Sequence, residues 1–395
     1  MRQRARSQTC YVPALRDVSV YVHFPWCLRK CPYCDFATQP TEREALDHGG
    51  YADAVLRELE ARAGSLEGGR LVSVFFGGGT PSLWQPRALG RVLGGVRQAF
   101  AAESDDVEIT VECNPSSLDG AHARALRDVG VNRLSVGVQS LADADLSFLG
   151  RLHDRDMALQ SLREARAELP RVSADLMFGM PGQDVQGVLA HAQALVDLGL
   201  DHVSAYALTV EPATPFGARH RAGQLPLASD NTFADMFGAL RAHFAEQGFS
   251  HYEVSNYARP GQISRHNAHY WRAGEYLGLG AAAVGRVGAR RYRNHPDPER
   301  YMARAGGDRV EVFDEALDAT DLINEAFMLG LRTAQGVDLA SVSAMTGADP
   351  LAGRERAIAA RQASGDLVRE AGHLRVPLER WLLLDGIVAD LFVAP

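Results

Sequence analysis

Three of the five cysteines, Cys27, Cys31 and Cys34, fall within eight residues in CLRKCPYC, while Cys10 and Cys113 stand alone. An odd total with one tight group does not make a disulfide framework and points to a reducing compartment and a metal. Structural zinc commonly takes two C-x2-C pairs, and no second pair follows here. Three thiolates in one short loop suit a [4Fe–4S] cube, each cysteine holding one iron while the fourth iron keeps an open position. A zinc knuckle of the same thiolates, completed by His23 or another histidine, is the competing chemistry.

Further groups able to do chemistry stand at the ends of apolar runs. Gly77, Gly78 and Gly79 in GGGTPS let a backbone approach a ligand closely, and Thr80 adds a hydroxyl. Glu112 could accept hydrogen bonds from a ribose or an amine. Gln139 and Asp175 are placed alike, and the planar fork of Arg151 could pair with a carboxylate. Each alone also reads as a helix cap or a satisfied core polar residue.

The elements that must position them alternate. SVYVHF (19–24), LVSVFF (71–76), VEITVE (107–112), NRLSVGV (132–138), VSADLMF (172–178) and DHVSAYAL (201–208) read as strands. Amphipathic stretches lie between them, such as those from Tyr51 and Ala121. Six βα units predict an α/β fold with a parallel sheet, whose ligands gather at the carboxyl ends of the strands. The expected organisation is a tail over 1–17, a partial (β/α)6 barrel over 18–220 and a smaller mixed α+β domain over 221–395. In that last part the segments HYEVSNYARPG, ISRHNAHYW and RVGARRYRNH read as short strands and turns, and the chain from Asp321 reads as mostly helical.

A chain of 395 residues with 46% hydrophobic residues excludes wholesale disorder and a small single-core module. A net charge of −8 argues against an extended nucleic-acid surface. No apolar run reaches the ~20 residues of a membrane span. The basic first sixteen residues lack the apolar segment of a secretory signal, so the expected location is cytoplasmic, with a short mitochondrial-type presequence as the alternative. Cys10 and Cys113 read as having no ligand role.

The C-x3-C-x2-C loop resembles the hallmark of the radical S-adenosylmethionine (SAM) superfamily. In that superfamily the amino and carboxylate groups of SAM chelate the open iron, and reduction cleaves SAM to a 5′-deoxyadenosyl radical. YVHFPWCLRKCPYCDF, GGGTPS, ECNP, NRLSVGVQS, DLMFGMPGQ and YALTVEPATP together resemble the oxygen-independent coproporphyrinogen III oxidase-like family, from Tyr21 to about residue 285. That resemblance implies a SAM site of Tyr21, Tyr33, Gly78, Gly79, Thr80, Glu112, Gln139, Arg151, Asp175 and Ala207, and a cluster on Cys27, Cys31 and Cys34.

Two departures favour the heme-chaperone branch over the oxidases. Phe36 stands where the oxidases resemble one another in a further cysteine, and only 26 residues precede Cys27. HNAHYW (266–271) is similar to the HNxxYW heme motif of the chaperones. It implies His266 as an axial ligand, Asn267 as an orienting group and Tyr270 and Trp271 as stacking surfaces. His251 and His269 are competing ligands. The resemblance therefore implies heme, SAM and a [4Fe–4S] cluster as cofactors, and an apo-hemoprotein acceptor such as a respiratory enzyme. Peripheral membrane contact would come through that acceptor. The alternative is oxidative decarboxylation of coproporphyrinogen III.

Overall fold

A computed structural model describes residues 16–100, 102–307 and 310–394. Cys10 and nearly all of the expected tail lie outside them. Six strands run in chain order: β1 (Arg16–Phe24), β2 (Gly69–Gly78), β3 (Ala102–Cys113), β4 (Arg133–Gln139), β5 (Arg171–Phe178) and β6 (His202–Ala207). Each pairs in parallel with the next. The crossovers carry α1 (His48–Arg62), α2 (Pro86–Ala99), α3 (Gly120–Asp128), α4 (Arg155–Glu168) and α5 (Val185–Asp197). Asp47, Asp119, Asp154 and Asp184 cap four of these helices through their side chains, satisfying amides that the first turn leaves free.

Strand alternation explains why the barrel has a polar inside. On β1, Val18, Val20, Val22 and Phe24 join the apolar core, while Ser19, Tyr21 and His23 point the other way. The inward residues pair with inward residues of neighbouring strands. Ser19 meets Ser73 at 2.7 Å, Arg133 donates to Ser173 at 2.9 Å, and Ser135 donates to Asp175 at 3.3 Å. A period of two thus separates a helix-packed wall from a hydrogen-bonded lumen.

The chain beyond residue 220 adds to both edges of this sheet. After α6 (Asp230–Glu246), β7 (Ser250–Glu253) and β8 (Asn256–Ala258) form a hairpin that extends β6. The short helix α7 (Arg265–Trp271) follows. Then β9 (Glu275–Leu279) pairs in parallel with β1, and β10 (Val284–Val287), β11 (Arg290–Asn294) and β12 (Glu311–Ala316) continue outward as antiparallel neighbours. The sheet order is β12-β11-β10-β9-β1-β2-β3-β4-β5-β6-β8-β7.

Two expectations need correction here. HNAHYW is not a strand or turn; it lies wholly within α7, whose first turn is capped by Ser264. From Asp321 the chain is only partly helical. Three strands of two or three residues, Val337–Asp338, Val368–Glu370 and His373–Arg375, form a separate small sheet among its helices. No helix among the described residues is long and apolar enough to cross a membrane.

Candidate functional site

The cysteine loop is closed at its base. Trp26–Cys27 pairs with Gln39–Pro40, Gln39 N–H donates to Pro25 O at 2.8 Å, and Thr41 N–H donates to Cys27 O at 2.8 Å. The His23 ring donates through Nε2 to Ala37 O at 3.1 Å, so its Nδ1 accepts from Tyr21 Oη at 3.0 Å. Burial lowers His23 to about 4, which keeps it neutral in that clamp. The end of β2 presses on the loop from beside it. Gly79 N–H donates to Phe24 O at 2.7 Å and Thr80 N–H to Trp26 O at 2.8 Å. A Cβ at Gly79 would stand 2.4 Å from Trp26 O. Gly78 has φ 109°, the region that favours glycine, and a Cβ there would enter the His23 ring.

Cys27, Cys31 and Cys34 all face one cavity of about 290 Å³, and none forms a disulfide. Thr80 Oγ1 donates to Cys27 Sγ at 3.4 Å, and Arg151 Nη1 to Cys31 Sγ at 3.6 Å. Burial pushes the Cys27 and Cys34 thiols up, a cost that thiolate–iron bonding offsets. Among the described residues, no group of three or more His, Cys, Asp or Glu is gathered tightly enough to hold one metal ion. A four-iron cube takes each thiolate on a separate iron, so it does not need the three to converge on one ion.

The remaining wall is polar and strained. Glu112 accepts from Gly78 N–H at 3.0 Å, and burial, reinforced by Asp175, raises its carboxyl to about 8. Burial thus favours its protonated form, which could donate to a ligand. Burial raises Asp175 as well. Gln139 ends β4 with φ 68°, just where the register of β4 on β5 shifts. Such an αL residue stores strain that its surroundings must hold. Arg151 donates through Nη2 to Gly137 O at 2.7 Å, while its buried Nε has no partner. The three converging thiols, the glycine cradle and this unpaired guanidinium N–H fit a cluster with an anionic ligand beside it.

Tyr33, Gly78, Gly79, Thr80, Glu112, Gln139, Arg151 and Asp175 line this cavity with the cysteines. Tyr21 lines an adjoining cavity of about 340 Å³ instead. Ala207 lines neither; its neighbour Tyr206, 40% exposed, stands in the wall of the first. Cys113 and Asn114 also line it, and the only hint in the sequence was their place in ECNP directly after a strand.

The four heme-motif residues share α7 but meet different surroundings. His266 is 1% exposed, its Nδ1 pairs with Ser73 Oγ at 2.9 Å, its ring stacks on Phe75 with centroids 4.9 Å apart, and its buried Nε2 has no partner. Burial holds the ring well below its usual range, hence neutral. The buried Glu108 carboxylate accepts from the Arg265 and His266 amides at 3.1 and 3.0 Å and locks the start of α7 into the lumen. Tyr270 lines the cavity that holds Tyr21. Asn267 and Trp271 are half-buried and line neither cavity. His251, the competing ligand, is packed against Tyr257 and Trp381, and His269 bonds to Glu275 O at 2.7 Å.

Comparison with known proteins agrees with this geometry. Residues 21–195 match the radical SAM superfamily, and residues 317–383 match the HemN C-terminal domain. The chain is 36% identical over 375 residues to the heme chaperone HemW of Mycobacterium tuberculosis, covering 94% of each chain. It is 39% identical over 342 residues to the radical S-adenosyl methionine domain-containing protein 1, mitochondrial, of Bos taurus, covering 82% of this chain and 75% of that one. In fold it is similar to the coproporphyrinogen III oxidase HemN of Escherichia coli, with a TM-score of 0.81 at 21% identity over 96% of this chain and 91% of the other. A collinear relative at that identity over nearly the whole chain, together with the cluster loop and its cradle, places the chain in the HemW family of the radical SAM superfamily.

Proposed function

We propose that the chain is a heme chaperone, which binds heme and hands it to an apo-hemoprotein. The observation that carries this reading is the end-to-end likeness to HemW in a chain that keeps HNAHYW and has Phe36 in place of the oxidases' further cysteine. A bound [4Fe–4S] cluster supplies an open iron for SAM and a source of one electron. Around it, Cys27, Cys31 and Cys34 are the ligands, Arg151 presents an unpaired N–H to an anionic group, and Glu112, Gln139 and Asp175 face the polar end of the ligand. Tyr33 lines the same cavity, and Tyr21 stands in the wall of the adjoining one. His266, Asn267, Tyr270 and Trp271 carry the heme motif of this reading; with His266 held on Ser73 and Phe75, axial ligation through its Nε2 would need α7 to move. The acceptor is a respiratory hemoprotein, met in a reducing cytoplasm and, where that acceptor is membrane-bound, at the membrane surface.

The test uses anaerobically reconstituted protein. Heme should bind with a shifted Soret band and then pass to an apo-hemoprotein, followed as the acceptor's own spectrum. With SAM, reductant and coproporphyrinogen III, no protoporphyrinogen should form; its appearance would overturn the chaperone reading in favour of the oxidase.

A further inference from the structure

The cavity beside the cluster has a chemistry of its own. Its wall is aromatic, made by Phe36 of the cluster loop, Tyr21 of β1, Tyr270 of α7 and Tyr276 of β9, with Ala282 and Val284 beyond them. It shares Phe36, Gly78 and Glu112 with the cysteine cavity, so the two lie side by side. Tyr270 and Tyr276 lie with ring centroids 4.4 Å apart, and Tyr270 in turn screens His266 at 4.4 Å. At about 340 Å³ it is at the lower end of small-molecule pockets. A flat ligand larger than this would rest one edge inside and leave the other at the mouth.

At that mouth stands Phe36, 58% exposed, with its carbonyl pinned by Lys30 Nζ at 2.8 Å. Its exposed ring carries the aromatic wall of the cavity outward and offers a face on which a planar ligand could stack. Resting on the heme-chaperone reading, we infer that the heme macrocycle seats in this aromatic cavity between Phe36 and Tyr276, and that ring stacking there binds it without iron ligation by His266. The ligand class is a planar, largely apolar tetrapyrrole. It meets Tyr270 directly, while His266 stays behind that ring on Ser73. The seat adjoins the cluster cavity, so the macrocycle edge lies next to the SAM site. Phe36 serves as its outer wall.

The experiment titrates cluster-loaded protein with heme and, separately, with metal-free protoporphyrin IX, read by absorbance and fluorescence. Protoporphyrin should bind within about threefold of heme. Phe36→Asp and Tyr276→Ala should each weaken both at least tenfold, about 1.4 kcal/mol. Tyr276 lies on β9, away from the cluster loop, so it gives an answer even if Phe36→Asp disturbs the cluster. His266→Ala should leave heme affinity unchanged; a loss of about tenfold for heme alone would restore iron ligation by that ring and overturn the inference. Heme binding by a protein that ignores protoporphyrin, or tight binding that survives both aromatic substitutions, overturns the seat while leaving the chaperone reading intact. Binding at the seat with no transfer to any acceptor does the reverse. If neither macrocycle binds, both fall.

Discussion

Gly79→Ala is a single methyl placed where the cluster loop and the glycine cradle meet. The new Cβ would sit 2.4 Å from Trp26 O, 2.8 Å from Phe24 O and 2.8 Å from Trp26 C. Ordinary contact begins near 3.4 Å, and all three obstacles are backbone, so no side chain can turn aside. The loop or the end of β2 must retreat by about 1 Å. That retreat stretches the Gly79 N–H to Phe24 O and Thr80 N–H to Trp26 O bonds, now 2.7 and 2.8 Å. Two bonds at about 1 kcal/mol each and an overpacking cost of about 1–3 kcal/mol give a local penalty of about 3–5 kcal/mol. Because Cys27 directly follows Trp26, the strain is delivered to a cluster ligand. Iron and sulfide per chain after anaerobic reconstitution should fall well below wild type, with faster loss of the ~400 nm absorbance that thiolate-ligated clusters give. The barrel itself should stay folded by circular dichroism. Full iron content and unchanged cluster lifetime in Gly79→Ala would refute the claim that close backbone approach shapes the loop.

Three other substitutions test separate parts of the structure. Arg151→Lys keeps the charge but loses the fork that joins Gly137 O to the cavity, and SAM binding by equilibrium dialysis should weaken about tenfold, roughly 1.4 kcal/mol. Glu58→Ala removes the acceptor for Gly280 N–H, Asn294 Nδ2, Tyr301 Oη and Arg62 Nε, all within 2.9 Å, and leaves Arg62 half-paired in the interior. Urea midpoints should report a loss of about 3–5 kcal/mol. Burial raises the Glu253 carboxyl from 4.5 to about 7. Between those values the unfolded chain has lost a proton that the folded chain keeps, so stability falls as pH rises across that window and is level above it. The full effect is about 3 kcal/mol, and in Glu253→Gln the midpoints from pH 5 to 8 should lose that slope.

The six barrel strands were legible because the lumen is polar. Val18, Val20 and Val22 alternate with Ser19, Tyr21 and His23, and alternation of that kind has no helical reading. The cluster loop and its cradle were legible for a related reason, since each motif directly follows an apolar run. The helix that holds HNAHYW was not. It spans only seven residues, and its burial comes from Glu108 and Ser73 far away in the chain, not from an apolar stripe of its own. Strands as short as Val337–Asp338 have too few residues to show a period. Tyr206, one position before Ala207, carries no signal in the sequence for its place in the cavity wall. The sheet order was equally hidden, because the pairing of β9 with β1 is written in no local pattern.

That last pairing also sets an order of events during synthesis. β1 and the three cluster thiols leave the ribosome first, yet the strand that flanks β1 on its outer side, from Glu275 to Leu279, is made roughly 250 residues later. At ordinary elongation rates the wait is on the order of tens of seconds. Throughout it, β1 has β2 on one side and an open edge on the other, and the thiols stand in a half-built wall. Parallel pairing across so long a separation is slow to form. A nascent chain stalled before β9 would present bare thiols beside an unpaired strand.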